Sequence, residues 1–266
     1  MQQPELKADE VVLVGAGNVG WHVGQRLKEK GIRVNLVYSR QKAKAEALGR
    51  LLGCAATNLL TAIPGLNNCL YILTVKDDVI TEVAESIRFL DAPNRLFVHT
   101  SGATPSSVLT AYFSHSGVFY PLQTFSIDRQ VNFSRVPLCI YGSDQEATSV
   151  LFDLGKQLSD QVAIIDDHQR SVLHVAAVFV NNFSNYLFGI GKDLVENKQL
   201  SFDLLRPLLM ETAEKIMDRS PDEMQTGPAR RHDQSTIATH LEYLERYPEW
   251  RKIYQLLSKN IEEKYA

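Results

Sequence analysis

Four consecutive apolar residues, Val11-Val12-Leu13-Val14, run directly into Gly15-Ala16-Gly17-Asn18-Val19-Gly20. Beyond them Val19, Val23 and Leu27 recur every four residues, and Gly31 closes the segment. The apolar run reads as a buried strand, the glycines as a turn, and the four-residue recurrence as one face of a helix. In that order the segment matches the dinucleotide-binding pattern G-x-G-x-x-G. Gly15 permits the tight turn, Gly17 lets backbone approach a pyrophosphate, and Gly20 lets the helix lie against the strand. Asn18 and Val19 open the helix, whose unpaired N–H groups and positive dipole end suit phosphate. A glycine turn serving structure alone is the alternative. Strand, turn and helix together predict dinucleotide binding.

Which dinucleotide is read at the end of the next strand, within Ile32–Val37. An NAD site usually carries Asp or Glu about 20 residues past the glycines, gripping the ribose 2′-hydroxyl. This strand runs out into Tyr38-Ser39-Arg40-Gln41-Lys42, with no acid. Ser39 can donate a hydrogen bond to a 2′-phosphate, and Arg40 can meet it with charge and two N–H groups. Alternatively Arg40 and Lys42 are simply the solvated charges of a helix start. A missing carboxylate and an added cation both favour NADP(H) over NAD.

With 266 residues, 44% apolar and 22% charged, the chain can bury one large core or two smaller ones. A net charge of −3 gives no electrostatic reason to expect nucleic acid or an anionic membrane as partner. Three cysteines, Cys54, Cys69 and Cys139, are odd in number, far apart and without metal-ligand spacing. They suggest buried thiols in a reducing cytoplasm, with no metal. The first ten residues are polar and lack the apolar core of a secretory leader. The longest apolar stretch, Val172 to Ile190, carries His174, Asn181, Asn182 and Asn185, too polar for a membrane span.

Up to about residue 165, short apolar runs alternate with helical stretches. The expected strands are Val11–Val14, Arg33–Tyr38, Cys69–Leu73, Leu96–His99, Gly117–Tyr120, Leu138–Tyr141 and Val162–Ile165. Such alternation predicts an α/β fold, a doubly wound and mostly parallel sheet of Rossmann type. Beyond Asp166 the spacing is helical only: Asp167 to Asn197, Phe202 to Met217, Ser235 to Tyr247 and Glu249 to Lys264. The expected organisation is a dinucleotide-binding domain over 1–165 and an all-helical domain over 166–266. The cleft between them is the expected substrate site.

Ligands in such sheets bind beyond the carboxyl ends of the strands. Thr74-Val75-Lys76 should therefore pass the cofactor's ribose or nicotinamide, chiefly through backbone. His99, Ser101 and Gly102 follow the next strand and are candidates for substrate binding; Ser101 capping the next helix is the alternative. At 100° per residue His174, Asn181 and Asn185 fall within about 40° of one another, with Lys192 on the same stripe. A buried polar stripe must find partners, since an unsatisfied amide costs on the order of 1–3 kcal/mol. If the stripe faces the cleft, His174 is a proton donor or acceptor, and Asn181 or Asn185 orients the substrate or the nicotinamide carboxamide. Otherwise these side chains bond the other domain or a partner subunit. Arg230 and Arg231, near a helix start whose dipole they oppose, suit an anionic substrate or an inter-subunit carboxylate. Arg231 is taken as a substrate-binding candidate, and Asp233 or Ser235 as a helix cap.

These motifs together resemble the NADP-dependent oxidoreductases that pair a Rossmann-like domain with a helical C-terminal domain of unassigned function. The resemblance covers nearly the whole chain. It rests on Gly15–Gly20, Val98-His99-Thr100-Ser101-Gly102, Tyr120-Pro121-Leu122-Gln123-Thr124-Phe125, His174-Val175-Ala176-Ala177 with Asn181-Asn182, and Thr226-Gly227-Pro228. Members usually have Arg-Gly-Asp where this chain has Arg231-His232-Asp233. Wider relatives are pyrroline-5-carboxylate reductase, 6-phosphogluconate dehydrogenase and the 3-hydroxyisobutyrate dehydrogenases. The resemblance implies a homodimer joined through the helical domain. In β-hydroxyacid dehydrogenases a catalytic lysine precedes a helix asparagine by four residues; if Asn182 is that asparagine, Val178 stands where the lysine would be. His174, one turn earlier, is the nearest replacement.

The expectation is a cytoplasmic NADP(H)-dependent oxidoreductase passing hydride between nicotinamide and a small carbonyl, imine or hydroxy compound, with His174 as general acid or base. A dinucleotide-binding sensor without turnover, or hydride exchange with a deazaflavin-type second cofactor, are the rival readings.

Overall fold

The computed structural model describes residues 6–266. The described chain forms two compact units that divide between Asn181 and Asn182.

The first unit is built on one sheet of eight strands: β1 (Glu10–Val14), β2 (Arg33–Tyr38), β3 (Ala55–Thr57), β4 (Cys69–Leu73), β5 (Arg95–His99), β6 (Ser116–Pro121), β7 (Leu138–Gly142) and β8 (Val162–Ile164). Their order is β3-β2-β1-β4-β5-β6-β7-β8, and neighbours from β3 through β6 run parallel. β7 pairs antiparallel to β6, and β8 lies parallel to β7. This is the Rossmann-type arrangement expected from the alternation. Strand β3 is the addition. It is a three-residue edge strand, too short and too small in side chains (Ala-Ala-Thr) to signal itself in sequence.

Helices cover both faces because successive strand residues point to opposite sides. Val11, Leu13, Leu70, Ile72, Leu96 and Val98 face one side. There they pack under α1 (Asn18–Glu29), α2 (Lys42–Leu52) and, from further along the chain, Gln145–Leu158. Val12, Val14, Tyr71, Leu73 and Phe97 face the other, against α3 (Ile80–Ser86) and α4 (Ser107–Thr110). Each such buried side chain contributes about 1.5–3 kcal/mol. The helix at Gln145–Leu158, α5, is capped by Asp144, whose carboxylate accepts from the Ala147 N–H at 2.8 Å.

Helix α6 (Asp167–Ala177) starts at a capping box, Asp166 and Gln169 each accepting the other's backbone N–H. It lies in the first unit, although the sequence places it with the helical domain. The reason is a polar clasp. Asp167 accepts from the backbone N–H and hydroxyl of Ser106 at 2.9 and 3.0 Å. Arg170, almost wholly buried, donates to Thr104 O at 2.5 Å and sits 2.7 Å from Asp167. The helix does not run unbroken from Asp167 to Asn197. A π-helical turn spans Val178–Phe183 before α7 (Ser184–Glu196).

The second unit is helical throughout. After α7 come α8 (Arg206–Asp218), α9 (Pro221–Met224), α10 (Gln234–Tyr243) and α11 (Pro248–Lys264). Asp233 caps α10 through Thr236 and Ser235. His232 adopts φ +53°, the left-handed conformation a glycine takes freely. Among the described residues no helix is long and apolar enough to cross a membrane.

Candidate functional site

Strands β1 and β4 are neighbours, and their following connections diverge to opposite faces; the ends of these two strands hold the glycine turn. Gly15 adopts φ +135°, and its N–H donates to Tyr38 O at 2.9 Å. A Cβ there would lie 2.5 Å from Thr74 Oγ1 and 2.7 Å from the Thr74 carbonyl carbon. Gly20 is equally confined, by Gly15 O and Thr74 Oγ1, whereas nothing lies within 4 Å of a Cβ placed on Gly17. Two of the glycines are thus imposed by packing. The third leaves open space in front of the first turn of α1, where the N-cap Gly17 offers no side chain to its N–H groups.

Thr74 locks this turn with its side chain: Oγ1 donates to Gly15 O at 2.9 Å, fully inside the protein. The sequence assigns Thr74 a backbone contact only; the structure adds the hydroxyl, a link between residues far apart in the chain.

A pocket of about 230 Å³ opens beside the turn. Gly15, Ala16 and Gly17 form one wall, Thr74, Val75 and Lys76 another, and Ser39, Arg40, Gln41 and Lys44 the far end. Lys44 was not among the sequence candidates. One helical turn beyond Arg40, it is recoverable from sequence only once α2 is known to start at Lys42. The pocket's acid, Glu82, comes from α3 and not from the strand end that carries it in NAD sites. Asn18, Val19 and Gly20 form the first turn of α1 and do not line the pocket. An open glycine and an uncapped helix start fit the pyrophosphate of a dinucleotide.

Further along the same sheet edge, the segment after β5 contradicts part of the sequence expectation. His99 is fully buried. The Ser101 N–H donates to its Nδ1 at 3.2 Å, so Nε2 carries the proton and donates to Pro105 O at 3.3 Å. Burial, reinforced by the charge of Arg170, pushes its pKa down to about 4. Both ring nitrogens are spent on their own loop, so His99 shapes that loop and does not meet a substrate. Ser101 also serves its own loop: its hydroxyl oxygen accepts from the N–H groups of Ala103 and Thr104, a turn ahead of α4, whose cap position is Ser106, so it does not cap that helix.

Gly102 is where the loop meets chemistry. A Cβ on it would lie 2.5 Å from His174 Nδ1 and 2.8 Å from Tyr120 Cζ. Tyr120 Oη and His174 Nδ1 are 3.1 Å apart and hydrogen-bonded, the rings edge-on. Tyr120 is the penultimate residue of β6, packed beside Val118, Cys139 and Leu173. Burial drives its phenol pKa up to about 12.

Asn181 and Asn185 are exposed, as is Asn182, so no burial cost demands partners for them. The projection that aligns them with His174 and Lys192 assumes 100° per residue. The π turn at Val178–Phe183 breaks that assumption, so the four do not share one stripe. Arg231 is exposed in the second unit, while Arg230 stacks over the Tyr265 ring, 4.6 Å from its centre.

Residues 136–261 match the model of a domain of unknown function, DUF2520. The crystal structure of a putative NADP oxidoreductase from Bacteroides fragilis superposes with a TM-score of 0.90 at 36% identity, covering 96% of this chain and 98% of that one. The chain belongs to that family. The Bacteroides fragilis structure shares this chain's order of a Rossmann-type sheet and a helical C-terminal region. A protein from Thermotoga maritima (20% identity, TM-score 0.71, 96% and 98% covered) has the same fold. So does a reductive aminase from Aspergillus terreus, solved with NADPH and ethyl-5-oxohexanoate (17% identity, TM-score 0.63, 97% and 93% covered). No protein of curated function matches the chain in sequence.

Proposed function

We propose that this family member is an NADP(H)-dependent oxidoreductase acting on a small carbonyl, imine or hydroxy compound. The observation that carries the reading is the far end of the 230 Å³ pocket, where Ser39, Arg40 and Lys44 stand together at the strand end. Two cations and a hydroxyl suit a 2′-phosphate, and a phosphate pairs with Arg in two parallel hydrogen bonds. The names of the Bacteroides fragilis oxidoreductase and of the NADPH-bound reductive aminase support the same reading.

When bound, the nicotinamide supplies or accepts hydride. The chain's own part is to hold the pyrophosphate on the open face of Gly17 and the first turn of α1. His174 then holds or moves the proton. Its Nδ1 is engaged by Tyr120, and Nε2 has no hydrogen-bond partner among the described residues. The His174 side chain is half-buried. General acid–base help of this kind contributes about 10²–10⁴-fold.

We further propose a cytoplasmic homodimer joined through the helical unit. All three cysteines are free thiols. Helices α7, α8 and α11 bury none of their residues within one chain. Met210 and Met217, seven residues apart and so on one face of α8, are 59% and 86% exposed, an apolar face of the kind that marks an interface.

The test is nucleotide binding by fluorescence for the wild type, Arg40→Ala and Lys44→Ala. NADPH should bind at least about ten-fold more tightly than NADH, which is 1.4 kcal/mol, and each substitution should erode that preference while leaving NADH unchanged. Equal affinities in the wild type would sink the cofactor assignment.

A further inference from the structure

We propose that Tyr120 is a positioning residue that fixes the tautomer of His174, so that the atom presented to a ligand is an Nε2–H donor suited to an acceptor oxygen. The proposal rests on the reading of His174 given above, but its physical content is independent of turnover.

The Tyr120 ring belongs to an apolar cluster with Val118, Cys139 and Leu173, and only its oxygen reaches a polar partner. With the phenol's ionisation displaced to about pH 12, Tyr120 keeps its proton throughout the range in which a histidine titrates. His174 Nδ1 at 3.1 Å is the polar partner of that phenol, and donation from the phenol to Nδ1 is the arrangement in which the buried O–H has an acceptor. An imidazole nitrogen that accepts a hydrogen bond carries no hydrogen, so the neutral ring bears its proton on Nε2.

Rotation of the ring is opposed from two sides. Gly102 backs onto Nδ1 and Cγ, with 2.5 and 2.9 Å to a Cβ placed on it. Helix α6 is held by the Asp167–Ser106 and Arg170–Thr104 hydrogen bonds, two turns and one turn before His174. Burial works against ionisation of Asp167, yet the bonds from Arg170 and Ser106 outweigh it and hold its carboxyl below the usual range. The clasp therefore stays charged near neutral pH. The Nε2–H, left free by the bond at Nδ1, can meet a lone pair, as on a carbonyl oxygen. A protonated iminium nitrogen offers a second donor and no lone pair, and does not fit.

The experiment is long-range proton–nitrogen correlation NMR on the full chain labelled with [¹⁵N]histidine, at a pH where His174 is neutral. His174 is assigned by the loss of its signals in His174→Gln. In the wild type the neutral ring should be wholly Nε2–H. In Tyr120→Phe, which keeps the ring and removes the hydroxyl, the single tautomer should be lost to a mixture, with the His99 signals unmoved as the check on folding. An Nδ1–H tautomer in the wild type overturns the proposal without any variant, and so does a Tyr120→Phe spectrum identical to it. NADPH binding read on the same samples separates this from the cofactor assignment: failure of either leaves the other standing.

Discussion

Gly102 and His174 occupy adjoining space: a methyl group on Gly102 would sit 2.5 Å from Nδ1, the atom that Tyr120 also reaches. The backbone after β5 therefore defines one wall of the histidine's position, and the absence of a side chain is what allows the Tyr120–His174 bond.

Gly102→Ala should push His174 off Tyr120. Overpacking costs about 1–3 kcal/mol of stability, and a displacement of about 1 Å at a reacting group costs on the order of 10²-fold in rate. NADPH affinity should be kept, because the pocket residues lie at other strand ends. Fluorescence titration beside a scan of NADPH oxidation with small carbonyls checks both halves. Loss of nucleotide binding would show that the loop supports the cofactor instead.

Thr74→Val keeps the shape of the side chain and removes the hydrogen bond to Gly15 O. The net loss is about 1 kcal/mol for the bond, more if the carbonyl stays unpaired. The glycine turn should loosen, so NADPH and NADH affinities should fall together. A fall in only one of them, by titration, would place Thr74 in nucleotide choice and not in the turn.

His99 makes stability depend on pH with a defined sign. Its folded pKa of about 4 lies below the ordinary 6.5, so between those values the unfolded chain binds more protons than the folded one. Stability is complete above about pH 6.5 and is lost as pH falls toward 4, by on the order of 3 kcal/mol. Urea midpoints measured across that range should decline for the wild type and flatten in His99→Asn. A wild-type profile level from pH 6.5 to 4.5 would mean that the ring is accessible to protons after all.

The exposed apolar face of α8 gives a test of assembly. Sedimentation equilibrium should find the wild type at twice the mass of the chain. The double substitution Met210→Glu and Met217→Glu, seven residues apart on one face of the helix and 59% and 86% exposed, should yield the single-chain mass with far-ultraviolet circular dichroism unchanged. A monomeric wild type would leave that surface for another partner.

Much of this was legible in the sequence because it is written over short stretches. The run Val11–Val14, the three glycines and the four-residue spacing of Val19, Val23 and Leu27 determine a strand, a turn and a helix from neighbouring residues alone. The alternation up to residue 165 determines a mostly parallel sheet, and Ser39-Arg40 without an acid is a local statement about a strand end. Tertiary structure decided whatever depends on residues distant in the chain. His99 reads as a substrate group until Pro105, Ser101 and Arg170 are seen around it. Thr74 reads as backbone until Gly15 is seen beneath its hydroxyl. The polar stripe from His174 to Lys192 reads as continuous because a regular helix is assumed, and no residue in Val178–Phe183 announces a π turn. The Tyr120–His174 bond joins residues 54 apart. Such a pair is invisible to periodicity, because hydrogen bonds depend on distance in space, and only the packing of α6 against the end of β6 makes that distance short.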